Sequence, residues 1–157
     1  MARTHSYDLT VTWTGNTGTG TSSYGAFERS VEISAAGRPD IPGSADPSFR
    51  GAADRWNPEQ LLVASLSQCH LLWYLVLCAK EGIVVTDYAD HASGTLVETP
   101  DGAGHFETVT LRPAVTIGSS DHIERATELH VRAHDLCFVA NSVNFEVRTE
   151  PTVVSAG

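Results

Sequence analysis

Asn57-Pro58-Glu59-Gln60-Leu61-Leu62-Val63-Ala64-Ser65-Leu66-Ser67-Gln68-Cys69-His70-Leu71-Leu72-Trp73-Tyr74-Leu75-Val76-Leu77-Cys78-Ala79-Lys80-Glu81-Gly82 is the stretch on which the fold turns. It opens with a cap residue, a proline suited to the first helical position, and acidic and amide groups in the first turn. Gln60 stands where a capping box needs it. These signals predict a helix that runs to about Glu81 and stops at Gly82. Its middle is apolar nearly all round, whereas a surface helix shows a single apolar stripe. The helix is therefore expected to be central and buried, covered by a sheet and by something else. A chain of 157 residues has little material to cover both sides, which points to dimerisation.

Outward from this helix the pattern is that of strands. Tyr7 to Thr14 and Tyr24 to Ser34 alternate with period two around the Gly/Thr/Ser-rich loop 15–23, and predict a hairpin. Ala35 to Trp56 is rich in Pro, Gly, Asp and Ser and is expected to be largely irregular. A loop of that length is often functional, and it holds Arg38, Arg50 and Arg55. Ile83 to Thr99 and His105 to Ile117 predict a second hairpin around Asp101-Gly102-Ala103-Gly104. Ser119 or Ser120 can cap a second helix through about Ala133. A short helix over Asp135 to Ser142 and a last strand over Val143 to Val154, limited by Pro151, complete the reading. The order describes an α+β domain with no repeat or linker.

Composition narrows the function. The chain is 41% hydrophobic and 18% charged, with nineteen acidic against ten basic residues and a net charge of -9. A chain this acidic has no clustered positive surface to track a phosphate backbone or an anionic membrane, so nucleic acid and membrane are not expected partners. The N-terminus lacks signal-peptide features, and Leu71 to Ala79 is too short to span a bilayer. A cytoplasmic setting is expected, and three cysteines there argue against a disulfide framework.

Cys69 and Cys137 are the candidates for chemistry. A lone cysteine in an apolar helix is usually a small core residue. Cys137, however, lies in the polar segment His134-Asp135-Leu136-Cys137, and two thiols that meet in space can form a reversible disulfide through a sulfenic acid. Cys78 faces the other side of the helix and is read as core. The Cys and His spacings fit no zinc site. A cysteine hydrolase using His70, His130 or His134 stays open, as does a non-enzymatic protein that binds an apolar or thiol-reactive ligand. Trp73, a turn after Cys69, is either a core filler or the wall of an apolar channel.

Asn57-Pro58-Glu59-Gln60-Leu61-Leu62, Cys69 ten residues after Glu59, and Cys137 followed by Asn141-Ser142-Val143-Asn144-Phe145 resemble the OsmC/Ohr superfamily of osmotically inducible and organic-hydroperoxide-resistance proteins, over about Phe27 to Val147. The resemblance implies a single OsmC-like domain over residues 1–157, α+β, with antiparallel sheets around a long buried central helix in an intertwined homodimer. It implies a thiol-dependent peroxidase that reduces organic hydroperoxides to alcohols without metal or other cofactor. Cys69 would attack the peroxide and Cys137 would resolve the sulfenic acid. Glu59 would hold an active-site arginine, and a dithiol such as dihydrolipoamide or a lipoylated protein would restore the thiols. The arginine would be Arg50, in a Phe49-Arg50 pair that reverses the family's Arg-Phe order, with Arg38 as the alternative. Its guanidinium would favour the thiolate. The bulky Cys69-His70-Leu71-Leu72-Trp73-Tyr74 and Phe138, where the osmotically inducible type usually has proline, mark a divergent subgroup. Ten helical residues separate Glu59 from Cys69 by about 15 Å. Either the helix breaks around Ser65 to Ser67, or Glu59 acts in the partner's site.

Overall fold

A computed structural model describes residues 3–157. The chain divides into two compact units, Met1–Leu61 and Leu62–Gly157. The first holds a three-stranded antiparallel sheet: β1 (Thr10–Trp13), β2 (Val31–Ser34) and β3 (Ile41–Gly43), in that order. β1 pairs with β2 as the hairpin pattern predicts, from Thr10 opposite Ser34 to Trp13 opposite Val31. The second strand is shorter than its alternation suggests, because Arg29 holds the preceding residues in a turn. Its guanidinium donates to the carbonyls of Phe27 and Tyr24, each at 2.7 Å, and lies over both rings. Gly15 lies where a Cβ would meet the Glu28 carbonyl at 2.0 Å, so only glycine fits there. The region expected to be irregular carries β3 and a 3-10 turn, Pro47–Phe49, capped by Asp46.

The expected helix is α1 (Pro58–Lys80). Its capping box is reciprocal: the Gln60 amide donates to Asn57 Oδ1 at 2.7 Å, and the Asn57 amide donates to Gln60 Oε1 at 3.2 Å. At the other end Gly82 has φ 73°, the Ile83 amide donates to the Cys78 carbonyl, and the Gly82 amide donates to that of Ala79. These two bonds form a Schellman stop. Burial along α1 follows one stripe, Leu66, His70, Tyr74 and Cys78. Within one chain the helix is not covered all round, and Leu72 and Val76 are 54% and 44% exposed. The apolar segment is also longer than Leu71 to Ala79. By length and composition alone, α1 could cross a membrane.

The second unit adds β4 (Val85–Asp90), β5 (Ser93–Glu98), β6 (Gly104–Leu111) and β7 (Pro113–Ile117). The expected second hairpin is present but bends into two sheets. β5 pairs with β6 and β4 with β7, both antiparallel. The bend has a local cause: Asp90 Oδ1 takes the Arg112 amide at 2.6 Å, and Pro113 has no N–H to continue the ladder. Pro151 likewise divides the last strand into β8 (Glu146–Thr149) and β9 (Thr152–Ser155). β8 joins β6 and β9 joins β7, and both pairs are parallel, so the sheets are antiparallel except at these two pairings.

Ser119 caps a 3-10 turn, Ser120–His122, that leads into α2 (Ile123–Leu136). The short helix expected over Asp135 to Ser142 is reduced to a 3-10 turn, Ala140–Ser142. Tyr74, Cys78, Ile83, Val115, Ile117, Ala126, Leu129 and Ala133 form one core between α1, α2 and the β4-β7-β9 sheet. Leu66, Val109 and Leu111 form another, with Phe106, Phe145 and Val147 packed against them.

Candidate active site

α1 carries Cys69, and the C-terminal end of α2 carries Cys137. Cys137 is the C-cap residue, in an extended conformation, and its amide donates to the His134 carbonyl. It is only 1% exposed, whereas Cys69 is partly exposed. The turn that follows holds it tightly. The Ala140 amide donates to Cys137 Sγ at 3.3 Å, and Asn141 donates to the Cys137 carbonyl through both its backbone and its side chain, each at 3.0 Å. Burial pushes the Cys137 thiol up. The nearby Cys69 thiol pushes it further, and the Ala140 amide works against both. The structure thus brings together two thiols that are 68 positions apart in the sequence (137 minus 69), and both are free.

A second contact joins the same two segments. Trp73, one turn beyond Cys69, meets Phe138, the residue after Cys137, edge to face at 5.6 Å and 87°. Trp73 also packs against the core, and Phe138 is 67% exposed. Each cysteine therefore has a large aromatic ring close by on its own segment. Cys78 is buried in the core, where burial raises its thiol.

Arg50 and Glu59 both belong to the first unit. Arg50 has φ 66° and is the one non-glycine residue with positive φ among the described residues. It is exposed, its guanidinium is 5.5 Å from the Tyr24 ring, and it lines a cavity of about 430 Å³ with Arg29. Arg38 lies in an exposed turn, where its guanidinium is 3.5 Å from the Ala36 carbonyl. Glu59 is partly buried, and its Oε2 is buried without a hydrogen-bond partner. Among the described residues no ion pair joins Arg50 to Glu59.

The break considered around Ser65 to Ser67 does not occur. α1 is continuous, because the two serine hydroxyls are satisfied without opening it. Ser65 Oγ donates to the Leu62 carbonyl at 2.7 Å, and Ser67 Oγ donates to Asp90 Oδ2 at 2.5 Å. Asp90 thus holds α1 two residues before Cys69 and the bend of the strands at once. Sequence reading did not single it out, and its only signal there is an acidic residue in a strand pattern.

His70 and His130 form a pair that sequence reading also missed. His70 Nε2 and His130 Nδ1 are 3.0 Å apart with ring planes within 5°, and Tyr74 stacks on His130 at 3.9 Å. Burial lowers His70 to about 4, with Asp90 opposing and His134 adding to the effect. Burial and then His70 lower His130 to about 3. Their outer nitrogens, His70 Nδ1 and His130 Nε2, have no partner, so neither ring hydrogen-bonds to a thiol. Among the described residues no group of three or more His, Cys, Asp or Glu side chains is placed to hold a metal ion.

Known proteins resemble this chain in sequence and in fold. A family model described as OsmC-like protein matches residues 51–152. An OsmC-like protein of unknown function from Vibrio cholerae is 30% identical and superposes with a TM-score of 0.86, over 95% of this chain and 100% of that one. An organic hydroperoxide resistance protein from Elizabethkingia anophelis, 21% identical, gives 0.68 over 98% and 99%. One from Legionella pneumophila, 19% identical, gives 0.69 over 97% and 98%. At these lower identities the likeness is one of fold. No curated protein matches by sequence.

Proposed function

The chain belongs to the OsmC-like family, and from that premise we propose that it is a thiol-dependent peroxidase that reduces organic hydroperoxides to alcohols. The observation that carries this reading is the nearness of Cys69 and Cys137, one partly exposed and the other buried. A thiol raised by burial stays protonated at neutral pH, so Cys137 is poorly suited to open attack and well placed for the second step. Cys69 is the thiol that a substrate can reach. Its thiolate attacks the distal peroxide oxygen: the S–O bond forms, the O–O bond breaks, and the alkoxide takes a proton and leaves as alcohol. Cys137 then attacks the sulfenic sulfur, loses its proton and displaces water, and the disulfide forms. An external dithiol, dihydrolipoamide or a lipoylated protein, supplies the two electrons that restore both thiols.

Trp73 and Phe138 support an organic substrate, since an edge-to-face aromatic pair beside the cysteines is an apolar wall that hydrogen peroxide cannot use. Structures that share this fold are named as organic hydroperoxide resistance proteins. Arg50 and Glu59 are proposed as the residues that hold and activate the peroxide. The unbroken α1 keeps Glu59 about 15 Å along the axis from Cys69, which favours Glu59 acting in the site of a second copy. Exposed apolar side chains support a homodimer: Leu72 and Val76 on α1, and Tyr7, Leu9 and Val11 along the N-terminal strand segment. Reduced cysteines and a dithiol reductant suit the cytoplasm. The closed His70–His130 pair argues against a hydrolase that uses either ring, since its base must reach the nucleophile.

Stopped-flow oxidation of the reduced protein by cumene hydroperoxide and by hydrogen peroxide tests the reading. Rapid loss of two thiols is expected, faster with the organic peroxide and abolished by Cys69→Ser. In Cys137→Ser the reaction should halt at the sulfenic acid. Slow oxidation that ignores both substitutions would leave the family in place and remove the activity.

A further inference from the structure

Arg50 is exposed and lines the cavity of about 430 Å³ in the first unit, and among the described residues no carboxylate pairs with it. Its backbone is fixed. It caps the 3-10 turn Pro47–Phe49 with φ 66°, and its amide donates to the Pro47 carbonyl at 3.1 Å. The side chain beyond is long, and an unrestrained one samples many rotamers. An arginine that holds a peroxide must keep one place, because a misplacement of about 1 Å can cost about a hundredfold in rate. Two contacts supply that restraint. The guanidinium lies over the Tyr24 ring, 5.5 Å from its centroid, and a Cβ on Gly25 would stand 3.4 Å from Arg50 Nη2.

Tyr24 and Gly25 belong to one turn, and Tyr24 is 69% exposed, so burial does not hold its ring. Arg29 does. It is partly buried, it donates to the Tyr24 and Phe27 carbonyls at 2.7 Å each, and it lies 4.6 Å and 4.2 Å from the centroids of their rings. The Ala26 amide on the Ser23 carbonyl and the Thr17 hydroxyl on the Ala26 carbonyl close the turn further. Tyr24 is thus a ring shared by two guanidiniums, of which one anchors it and the other rests on it. A ring attracts a guanidinium through its π face and takes up none of its N–H donors. A carboxylate partner would occupy two of the five. Support by a ring therefore leaves Arg50 its donors for peroxide oxygens.

We infer that Tyr24 is a positioning residue: its ring, anchored by Arg29, sets the Arg50 guanidinium where it meets the peroxide. Tyr24 does not itself line the cavity, so it acts through Arg50. The inference rests on the role proposed for Arg50, and its test separates the two.

The test is the turnover of cumene hydroperoxide by the full-length protein in Tyr24→Leu, Tyr24→Phe, Arg50→Gly and the double variant Tyr24→Leu/Arg50→Gly. Tyr24→Leu should lose about twofold to fivefold, the effect of one exposed cation–π contact. Tyr24→Phe keeps the ring and should restore the rate. On top of Arg50→Gly, Tyr24→Leu should cost nothing more, since the losses of residues that act as one unit do not multiply. Full turnover in Arg50→Gly would remove the role of Arg50 and the inference with it. With Arg50→Gly impaired, full turnover in Tyr24→Leu, no rescue by Tyr24→Phe, or losses that multiply in the double variant would overturn the inference alone.

Discussion

His70 and His130 are buried, with Tyr74 stacked on His130, and each has one ring nitrogen spent on the other. Their titration sets the pH response of the fold. The folded rings take up their second, charging proton only below about 4 and 3, whereas unfolded histidines do so near 6.5. Between these values the unfolded chain binds more protons, so stability falls as the pH falls from 6.5 toward 4. Urea unfolding at pH 7 and pH 5 should show a loss of about 2–4 kcal/mol, since each histidine contributes up to about 1.4 kcal/mol per pH unit. Stability that stays level between them would contradict neutral burial. Arg50 gives a second residue-level test. Its left-handed backbone costs of order 1 kcal/mol for any side chain with a Cβ. Arg50→Gly should therefore melt no lower than the wild type while losing at least about tenfold in hydroperoxide turnover. Normal turnover would remove Arg50 from the site and leave Arg38 to be tested.

Among the elements, α1 was the most legible in sequence, because its signals are local. Asn57, Pro58 and Gln60 start it and Gly82 ends it, each through the bonds its side chain or backbone can make. Asn57→Ala removes one half of the capping box and the bond to Asp46, and should cost about 1 kcal/mol in urea unfolding. No loss would mean that the cap bonds are not what holds the helix start. The strands were legible as segments but not as sheets. β4 to β7 read as one hairpin, because nothing in the alternation of Ile83 to Thr99 shows that Asp90 will take the Arg112 amide. The parallel pairs of β8 with β6 and β9 with β7 depend on partners nearly forty residues away, and period-two alternation is the same for either direction. The cysteines were legible as a pair through their resemblance to a family. The His70–His130 contact was not, since it joins residues 60 apart with no shared motif.

For the whole molecule, the apolar surface that one chain leaves open is the main structural question. The stripe Leu66, His70, Tyr74 and Cys78 is buried while Leu72 and Val76 on α1 are not, and the proposed homodimer would cover such a face. A charge placed there should be tolerated by the folded chain and not by the assembly. Leu72→Asp is expected to sediment as a monomer at concentrations where the wild type is a dimer, and a wild type that sediments as a monomer would contradict the proposal. The central claim is that Cys69 and Cys137 react as a pair. Peptide mapping by mass spectrometry after treating the reduced protein with half an equivalent of cumene hydroperoxide tests it most directly. The account predicts a Cys69–Cys137 disulfide in about half of the molecules, with Cys78 still a free thiol. Oxidation spread over all three cysteines, or a Cys69 sulfinic acid formed without any disulfide, would contradict it.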